Sequence, residues 1–140
     1  MCQGSCPYMR QQGWGRIINI SGLAVRQTGS TIGSIRNVAV AAMSKNLADE
    51  LGHYGINVTV VHSGLTRTES ADGVVVTQAQ IQGISLREVE RLMAQNNSVR
   101  QIIDARDVAD VVVLLASPIA VAINRDVVPA GGGVGRAIHY

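Results

Sequence analysis

The feature that most constrains the fold is the alternation of β-branched runs with one long amphipathic segment. Residues 16–21 form a β-branched run bounded by glycines, and residues 56–61 are rich in β-branched side chains, so each run predicts a strand. Between them, residues 34–53 carry apolar side chains at three- and four-residue steps, which predicts a helix. A strand, a helix and a second strand in this order predict a right-handed crossover and a parallel sheet.

The apolar positions of the predicted helix indicate which side of it faces the sheet. Ser44, Lys45, Asp49 and Glu50 are expected on the solvent side, and Gly55 follows as a helix stop. The residues expected to share the buried face are Ile35, Val38, Ala39, Ala42, Met43, Leu47 and Leu51.

Three further segments complete the first half of the chain. Residues 5–12 resemble the end of a helix, in which Pro7 is tolerable only near the first turn. Residues 22–33 contain three glycines and several hydroxyl side chains, so a long loop is predicted there. Residues 62–76 show no clear period and are predicted to be irregular.

The second half of the chain predicts two helices and a weak strand. Ser85 with Glu88 forms a capping-box pattern that opens a helix ending near Gln95. Residues 107–116 predict a helix capped by Asp104, so apolar that it is expected to be mostly buried. Residues 126–128 predict a short final strand, cut off by Pro129 and followed by a turn at the glycines 131–133.

Composition and charge exclude several classes of protein. The chain of 140 residues is 46% hydrophobic and 16% charged, which is ordinary for one folded domain, expected here to span residues 1–140. The net charge of +2 is too small to favour nucleic acid or an anionic membrane. No stretch is long and apolar enough to span a bilayer, and residues 1–10 lack a secretory signal, so a cytoplasmic protein is expected. Cys2 and Cys6 have no matching Cys/His pair, so no metal site is expected.

Five segments of the chain resemble, in order, motifs of the short-chain dehydrogenase/reductase family. Residues 15–21 resemble its G-R-I-x-N-x-S strand, and residues 46–58 resemble the helix and strand that follow its active site. Residues 62–68 are similar to its P-G-x-x-x-T segment, residues 107–117 to its D-V-A…L-A-S helix, and residues 126–132 to its final strand and turn. The resemblance implies the carboxyl-terminal half of such a protein, an α/β fold with a partial Rossmann-like sheet of about three parallel strands flanked by helices.

The resemblance also implies a chemistry and a set of site residues. Members of this family transfer a hydride between NAD or NADP and a carbonyl or alcohol substrate. The segment after the second strand would place Ser63, Gly64, Leu65 and Thr68 beside the nicotinamide, with Ser63 standing where the family has proline. The doubled serine that often ends the first strand is Ser21-Gly22 here, so Ser21 would stand in as the catalytic serine.

The tyrosine and lysine that transfer the proton in this family are missing. Lys45 is the only lysine, and the residue four positions before it is Ala41, so no Y-x-x-x-K occurs. Counting back along the helix places Gly33 at the tyrosine position and Asn37 at the lysine position. Asn37 can hydrogen-bond a ribose hydroxyl or a water, but without charge it cannot lower the pKa of a phenol. The glycine-rich fingerprint for a dinucleotide is not found either.

Two functions remain open on the sequence alone. The first is an NAD- or NADP-dependent oxidoreductase that is truncated and catalytically impaired, or that works with a segment outside this chain. The second is a non-catalytic remnant that acts as a self-associating or partner-binding module. In that case the long helix and the unpaired edge of the first strand would bind a second copy, giving a homo-oligomer.

Overall fold

The computed structural model of the chain describes residues 6–23 and 30–134. The helices are α1 (Cys6–Gln12), α2 (Thr31–Leu51), α3 (Glu69–Gln82), α4 (Leu86–Ala94) and α5 (Ala105–Ala116). The strands are β1 (Gly15–Gly22), β2 (Ile56–Ser63), β3 (Thr66–Arg67), β4 (Ile103–Asp104) and β5 (Val127–Ala130). Short 3-10 helices follow α2 at Gly52–Tyr54 and α5 at Pro118–Ala120. No helix among the described residues has both the length and the apolar content needed to cross a bilayer.

The main sheet has three parallel strands in the order β1-β2-β5, which confirms the predicted α/β class. β1 pairs with β2 from Gly15↔Ile56 to Gly22↔Ser63, so both strands end at the same edge. Residues 56–62 of the central strand β2 are all buried, as expected of a parallel strand covered on both faces. A second, smaller sheet joins β3 to β4 in parallel and was not predicted.

Apolar clusters cover the two faces of the sheet. On one face, Ala48 and Leu51 of α2 pack with Ile56 and Val58 of β2. On the other, Val108 and Leu115 of α5 pack with Val61 and Ala120. The sheet is therefore sandwiched between α2 and α5, the layered arrangement that the order of elements predicts.

The prediction for α2 was wrong in its start and in part of its buried face, although Leu51 is buried and Leu47 packs against the core as predicted. The helix begins at Thr31, because the Ser30 hydroxyl caps it by accepting a hydrogen bond from the Gly33 N–H at 3.1 Å. Its buried residues are Asn37, Ser44, Ala48 and Leu51. Ile35 is 65% exposed and Val38 is 51% exposed, although both were expected on the buried face. Asn37 and Ser44 are buried in their place because their side chains hydrogen-bond to residues of β1.

The segment predicted to be irregular contains a strand end and a helix. β2 continues to Ser63, and α3 begins at Glu69. Gly73 and the β-branched residues 74–77 lower the intrinsic helix propensity of this segment. α3 forms nevertheless because it packs against α4, and packing overrides local propensity. α4 itself begins after Ser85, whose hydroxyl accepts from the Glu88 N–H at 3.2 Å, as the capping-box pattern predicts.

The end of the chain departs from prediction in two places. Asp104 is the N-cap of α5 as predicted, and its N–H donates to the Asp107 carboxylate at 2.9 Å. The expectation that α5 is mostly buried was wrong, since Val113 is 68% exposed. Pro129 lies inside β5 instead of ending it. β5 pairs only with β2 among the described strands, so the missing N–H of a proline is tolerated there.

Candidate functional site

A cleft opens where the three parallel strands end. Its volume is about 1110 Å³, and the segments after β1, β2 and β5 contribute to its walls. Open parallel sheets bind ligands in a crevice at this edge. The lining residues are Gly22, Leu23, Ser63, Gly64, Leu65, Met93, Gln95, Asn96, Asn97, Ser98, Arg100, Gly133 and Val134.

The two predicted catalytic residues contact each other next to this cleft, although neither is one of its lining residues. Ser21 is the last residue but one of β1, and Asn37 lies in the second turn of α2. The Ser21 hydroxyl donates to the Asn37 Oδ1 at 3.1 Å, and the Asn37 Nδ2 donates to the Gly22 carbonyl at 3.3 Å. Asn37 is only 5% exposed, so its amide is held in place by the strand end it contacts.

This pair is polar but does not titrate near neutral pH. A serine hydroxyl has a single proton, and the proton of Ser21 is directed at Asn37. Ser21 therefore has to leave Asn37 before it can donate to a substrate oxygen. Asn37 carries no charge, and Gly33, at the counted tyrosine position, has no functional side chain. The described residues at this point can orient a ligand but cannot supply a proton by ionising.

Three of the four predicted cofactor residues line the cleft at the end of β2. The Ser63 hydroxyl donates to the Ser21 carbonyl at 3.3 Å, which joins the two strand ends. Gly64 passes so near the turn after β5 that a Cβ would lie 3.0 Å from the Gly131 Cα, so any larger residue would push the two backbones apart by a few tenths of an ångström. Leu65 follows with 42% of its surface exposed. These residues form a backbone-rich wall with one apolar side chain.

Thr68, the fourth predicted cofactor residue, is not a lining residue of this cleft. It is the exposed N-cap residue of α3, and its side chain makes no capping hydrogen bond. Its carbonyl oxygen accepts from the Ala71 N–H at 2.9 Å. The structure therefore separates Thr68 from Ser63, Gly64 and Leu65.

A second polar contact between α2 and β1 was not predicted. The Asn19 Nδ2 donates to the Ser44 hydroxyl at 2.8 Å, and that hydroxyl donates to the Val40 carbonyl at 2.7 Å. Asn19 lies two residues before Ser21 on the same face of β1, and Ser44 lies seven residues after Asn37 on the same face of α2. The sequence spacings indicate that each pair of polar residues shares a face of its strand or helix. Only the packing of α2 on β1 shows that the two faces contact each other.

The far wall of the cleft is formed by the segment after α4 and was also missed. The glycine turn after β5 holds this segment: the Gly133 carbonyl accepts from the Ser98 N–H at 3.2 Å and the Ser98 hydroxyl at 3.1 Å. The Gly132 carbonyl accepts from the Val99 N–H at 3.1 Å. Both glycines have positive φ, 67° and 81°, which confirms the predicted turn and explains the residue type.

Charged groups are scarce around the cleft. Arg100 is the only charged residue among those that line it. His62 is 2% exposed and is not a lining residue. The four ion pairs found among the described residues lie outside the lining. In two of them, the hydrogen bond with Glu90 raises the pKa of Arg67 and the hydrogen bond from Arg91 lowers the pKa of Glu88. No cluster of histidine, cysteine or acidic side chains in the described residues could hold a metal ion.

Comparisons with known proteins agree with the fold and the order of motifs. The family model described as Enoyl-(Acyl carrier protein) reductase matches residues 1–135. The chain is 32% identical over 127 residues to the short-chain reductase protein NovJ of Streptomyces niveus, covering 90% of this chain and 47% of that protein. It is 28% identical to the NADPH-dependent reductase BacG of Bacillus subtilis, covering 93% and 51%.

A solved structure shows the same arrangement of elements. YwfH, an NADPH-dependent reductase involved in bacilysin biosynthesis, superposes with a TM-score of 0.85 at 25% identity, covering 98% of this chain and 53% of that one. The chain thus spans about half the length of the relatives it matches. The match over residues 1–135, the relatives and the shared fold together show that the chain belongs to the short-chain dehydrogenase/reductase family.

Proposed function

We propose that this chain supplies the nicotinamide-side half of an NAD- or NADP-dependent oxidoreductase, acting on a carbonyl or alcohol substrate in the cytoplasm. The observation that carries the proposal is the contact of Ser21 with Asn37 beside the cleft: Asn37 donates to the carbonyl of the lining residue Gly22, and the lining residue Ser63 donates to the carbonyl of Ser21. These are the positions that the family uses around the reacting carbon. A nicotinamide bound here would supply the hydride.

The chain's own residues fit a flat, uncharged ring better than a phosphate. The wall at Ser63, Gly64 and Leu65 offers a hydroxyl, backbone groups and one apolar side chain, without a charge. A carboxamide can hydrogen-bond to such backbone groups while the ring lies against Leu65. Ser21 and Asn37 lie beside this wall and would orient the substrate oxygen or a ribose hydroxyl.

Proton transfer is the step in which we propose that the chain is impaired. A phenol has an unperturbed pKa near 10, and a nearby cation lowers it. Here neither the phenol nor the cation is present at positions 33 and 37. General acid–base catalysis contributes about 10²–10⁴-fold to a rate, so turnover by this chain is expected to be slower than in relatives by a factor of that order. The substrate proton would have to come from water or from a group outside this chain.

A titration of this chain with NADPH, NADH and reduced nicotinamide mononucleotide tests the proposal. The mononucleotide contains the part that the cleft would hold, so its dissociation constant is expected to lie within about tenfold of that of NADPH. Leu65→Asp, which adds a charge to the wall, is expected to weaken all three. Leu86→Asp is the matched control, because Leu86 is 51% exposed on α4 and does not line the cleft. No binding of any of the three at millimolar concentration would overturn the proposal.

A second candidate function, self-association, is favoured by the exposed stripe of α2. Ile32 is 83% exposed, Ile35 65% and Val38 51%, and they follow one another at three-residue steps. Ala39 and Ala42 extend the same exposed side. Contiguous exposed apolar surface on a helix marks an interaction site, and a second copy would cover it symmetrically in a homo-oligomer.

A further inference from the structure

The cleft has an unbalanced positive charge on its far wall. Arg100 is the one charged residue among its described lining residues, and no carboxylate lies beside it in that set. Three of the other described arginines form ion pairs: Arg67 with Glu90 at 2.9 Å, Arg91 with Glu88 at 2.6 Å and Arg125 with Asp49 at 3.1 Å. None of the ion pairs found among the described residues includes Arg100. Its guanidinium is therefore available to a ligand.

The backbone of Arg100 is unusual. Its φ is 53°, in the left-handed region that glycine adopts readily and residues with a Cβ adopt rarely. A strained residue at the wall of a cleft motivates a functional hypothesis for its side chain. Glycine at this position would relieve the strain but would also remove the only charge from the cleft lining.

The turn around Arg100 is fixed by its neighbours. The Arg100 N–H donates to the Asn97 carbonyl at 3.3 Å. The Asn97 side chain closes the turn twice, since its Nδ2 donates to the Gln101 carbonyl at 2.6 Å and its Oδ1 accepts from the Gln101 N–H at 3.3 Å. The preceding Ser98 is bonded to the glycine turn after β5. The segment that carries Arg100 is thus held in place by hydrogen bonds on both sides of the residue.

We propose that Arg100 selects substrates that carry an anionic group, a carboxylate or a phosphate, in addition to the reacting carbonyl. The inference rests on the proposed function of the cleft as the substrate site. A guanidinium binds a carboxylate through two parallel hydrogen bonds, and the amides of Asn96 and Gln95 on the same wall can donate to the remaining oxygen lone pairs. The uncharged wall at Ser63, Gly64 and Leu65 would then hold the reacting end of the substrate.

The phosphates of the cofactor are a second possible source of an anion for Arg100. The glycine-rich turn that holds the pyrophosphate in dinucleotide-binding folds lies at a first strand–helix junction, and this chain contains no such fingerprint. Arg100 comes instead from the segment after α4. We therefore assign the anion to the substrate, and the experiment separates the two sources.

The test compares levulinate, a short oxo acid, with its methyl ester, which keeps the ketone and loses the charge. Dissociation constants are measured by NMR on the whole chain, without cofactor. The wild type is expected to bind the acid about tenfold more tightly than the ester, and Arg100→Gln is expected to abolish that difference. Arg87→Gln is the matched control, because Arg87 is exposed on α4 and does not line the cleft; it should leave the difference intact.

A further variant separates a binding role from a structural one. Arg100→Gly should raise the melting temperature by relieving the positive φ, and should still lose the preference for the acid. Equal binding of acid and ester by the wild type, or a preference that survives Arg100→Gln, would overturn the inference. So would a loss of NADPH affinity in Arg100→Gln with the acid preference retained, because the anion would then be the cofactor's. Failure of the wild type to bind any nicotinamide would count against the proposed function alone.

Discussion

Asn37 is a polar residue in the middle of a helix face that packs on a sheet. It is 5% exposed and makes two hydrogen bonds, one with Ser21 and one with Gly22. An apolar residue at this position would make only packing contacts. A buried polar group is tolerated only while its partners are present. From Asn37 to Ser44, α2 therefore contacts β1 through matched polar pairs. Nearer its C-terminus, α2 packs on the sheet through the apolar cluster around Ala48 and Leu51.

Asn37→Ala is expected to destabilise the fold. The substitution leaves the Gly22 carbonyl without this donor and the Ser21 hydroxyl without this acceptor, which costs about 1–3 kcal/mol. Urea unfolding followed by circular dichroism measures the change in the free energy of unfolding. Asn46→Ala is the control, since Asn46 is exposed on the same helix and bonds only to the Ala42 carbonyl; it should change stability by less than about 0.5 kcal/mol. Equal effects of the two substitutions would show that the Asn37 contacts are not needed.

At the residue scale, the sequence identified Ser21 and Asn37 but not their relation. Motif resemblance pointed to Ser21, and counting along the helix pointed to Asn37. The sequence did not predict Arg100 as a cleft residue, because its position depends on how the glycine turn after β5 holds the segment after α4. Contacts between distant segments of this kind follow from the packed fold and not from local spacing.

At the scale of the element, α3 is the helix that local sequence predicted least well. Gly73 lies within it, and no atom outside its own helix turn lies within 4 Å of where a Cβ would be built. Gly73→Ala is therefore expected to stabilise the fold by about 0.4–1 kcal/mol, by restricting the unfolded chain and favouring the helix. A rise in melting temperature measured by differential scanning calorimetry is the expected result.

The control for this substitution is a glycine that the fold requires. Gly55 has φ 76°, and a Cβ there would collide with the Gly13 carbonyl oxygen. Gly55→Ala should lower the melting temperature. If Gly73→Ala also lowered it, the helix at Glu69–Gln82 would be in doubt.

The exposed stripe of α2 leads to a prediction about assembly. Ile35→Glu places a charge in the middle of the stripe formed by Ile32, Ile35 and Val38, so it should shift a homo-oligomer towards monomer without unfolding the chain. Size-exclusion chromatography with light scattering measures the mass, and circular dichroism checks the fold. Val113→Glu is the control, because Val113 is similarly exposed, at 68%, on α5. A wild-type chain that is monomeric at high concentration would rule out this role for α2.

Element types were predicted better than element faces. The three strands of the main sheet, α4 and the cap of α5 followed from β-branched runs and capping residues, which act locally. The buried face of α2 did not follow from hydrophobic periodicity, because Ser44 and Asn37 are buried through hydrogen bonds to β1 while Ile35 and Val38 are exposed. Periodicity reports hydrophobicity, and it fails where polar pairs determine which face is buried.

At the scale of the whole molecule, three parallel strands flanked by helices bring the segments after β1, β2 and β5 to one cleft. The sequence predicted this edge because parallel strands joined by crossovers end on the same side. Among the described strands, β1 pairs only with β2, and Ile20 on β1 is 56% exposed.

The central claim is that the chain holds a nicotinamide at the end of β2 without supplying the proton. The most direct test is an NMR titration of the isotopically labelled chain with NADPH, followed through the backbone amides. A nicotinamide bound at the end of β2 should give saturable shifts concentrated at Gly22, Ser63, Gly64 and Leu65, with no shift at Trp14, which precedes β1 at the opposite edge of the sheet. Shifts at Trp14 with none at Ser63–Leu65, or no shifts at all at millimolar NADPH, would contradict it.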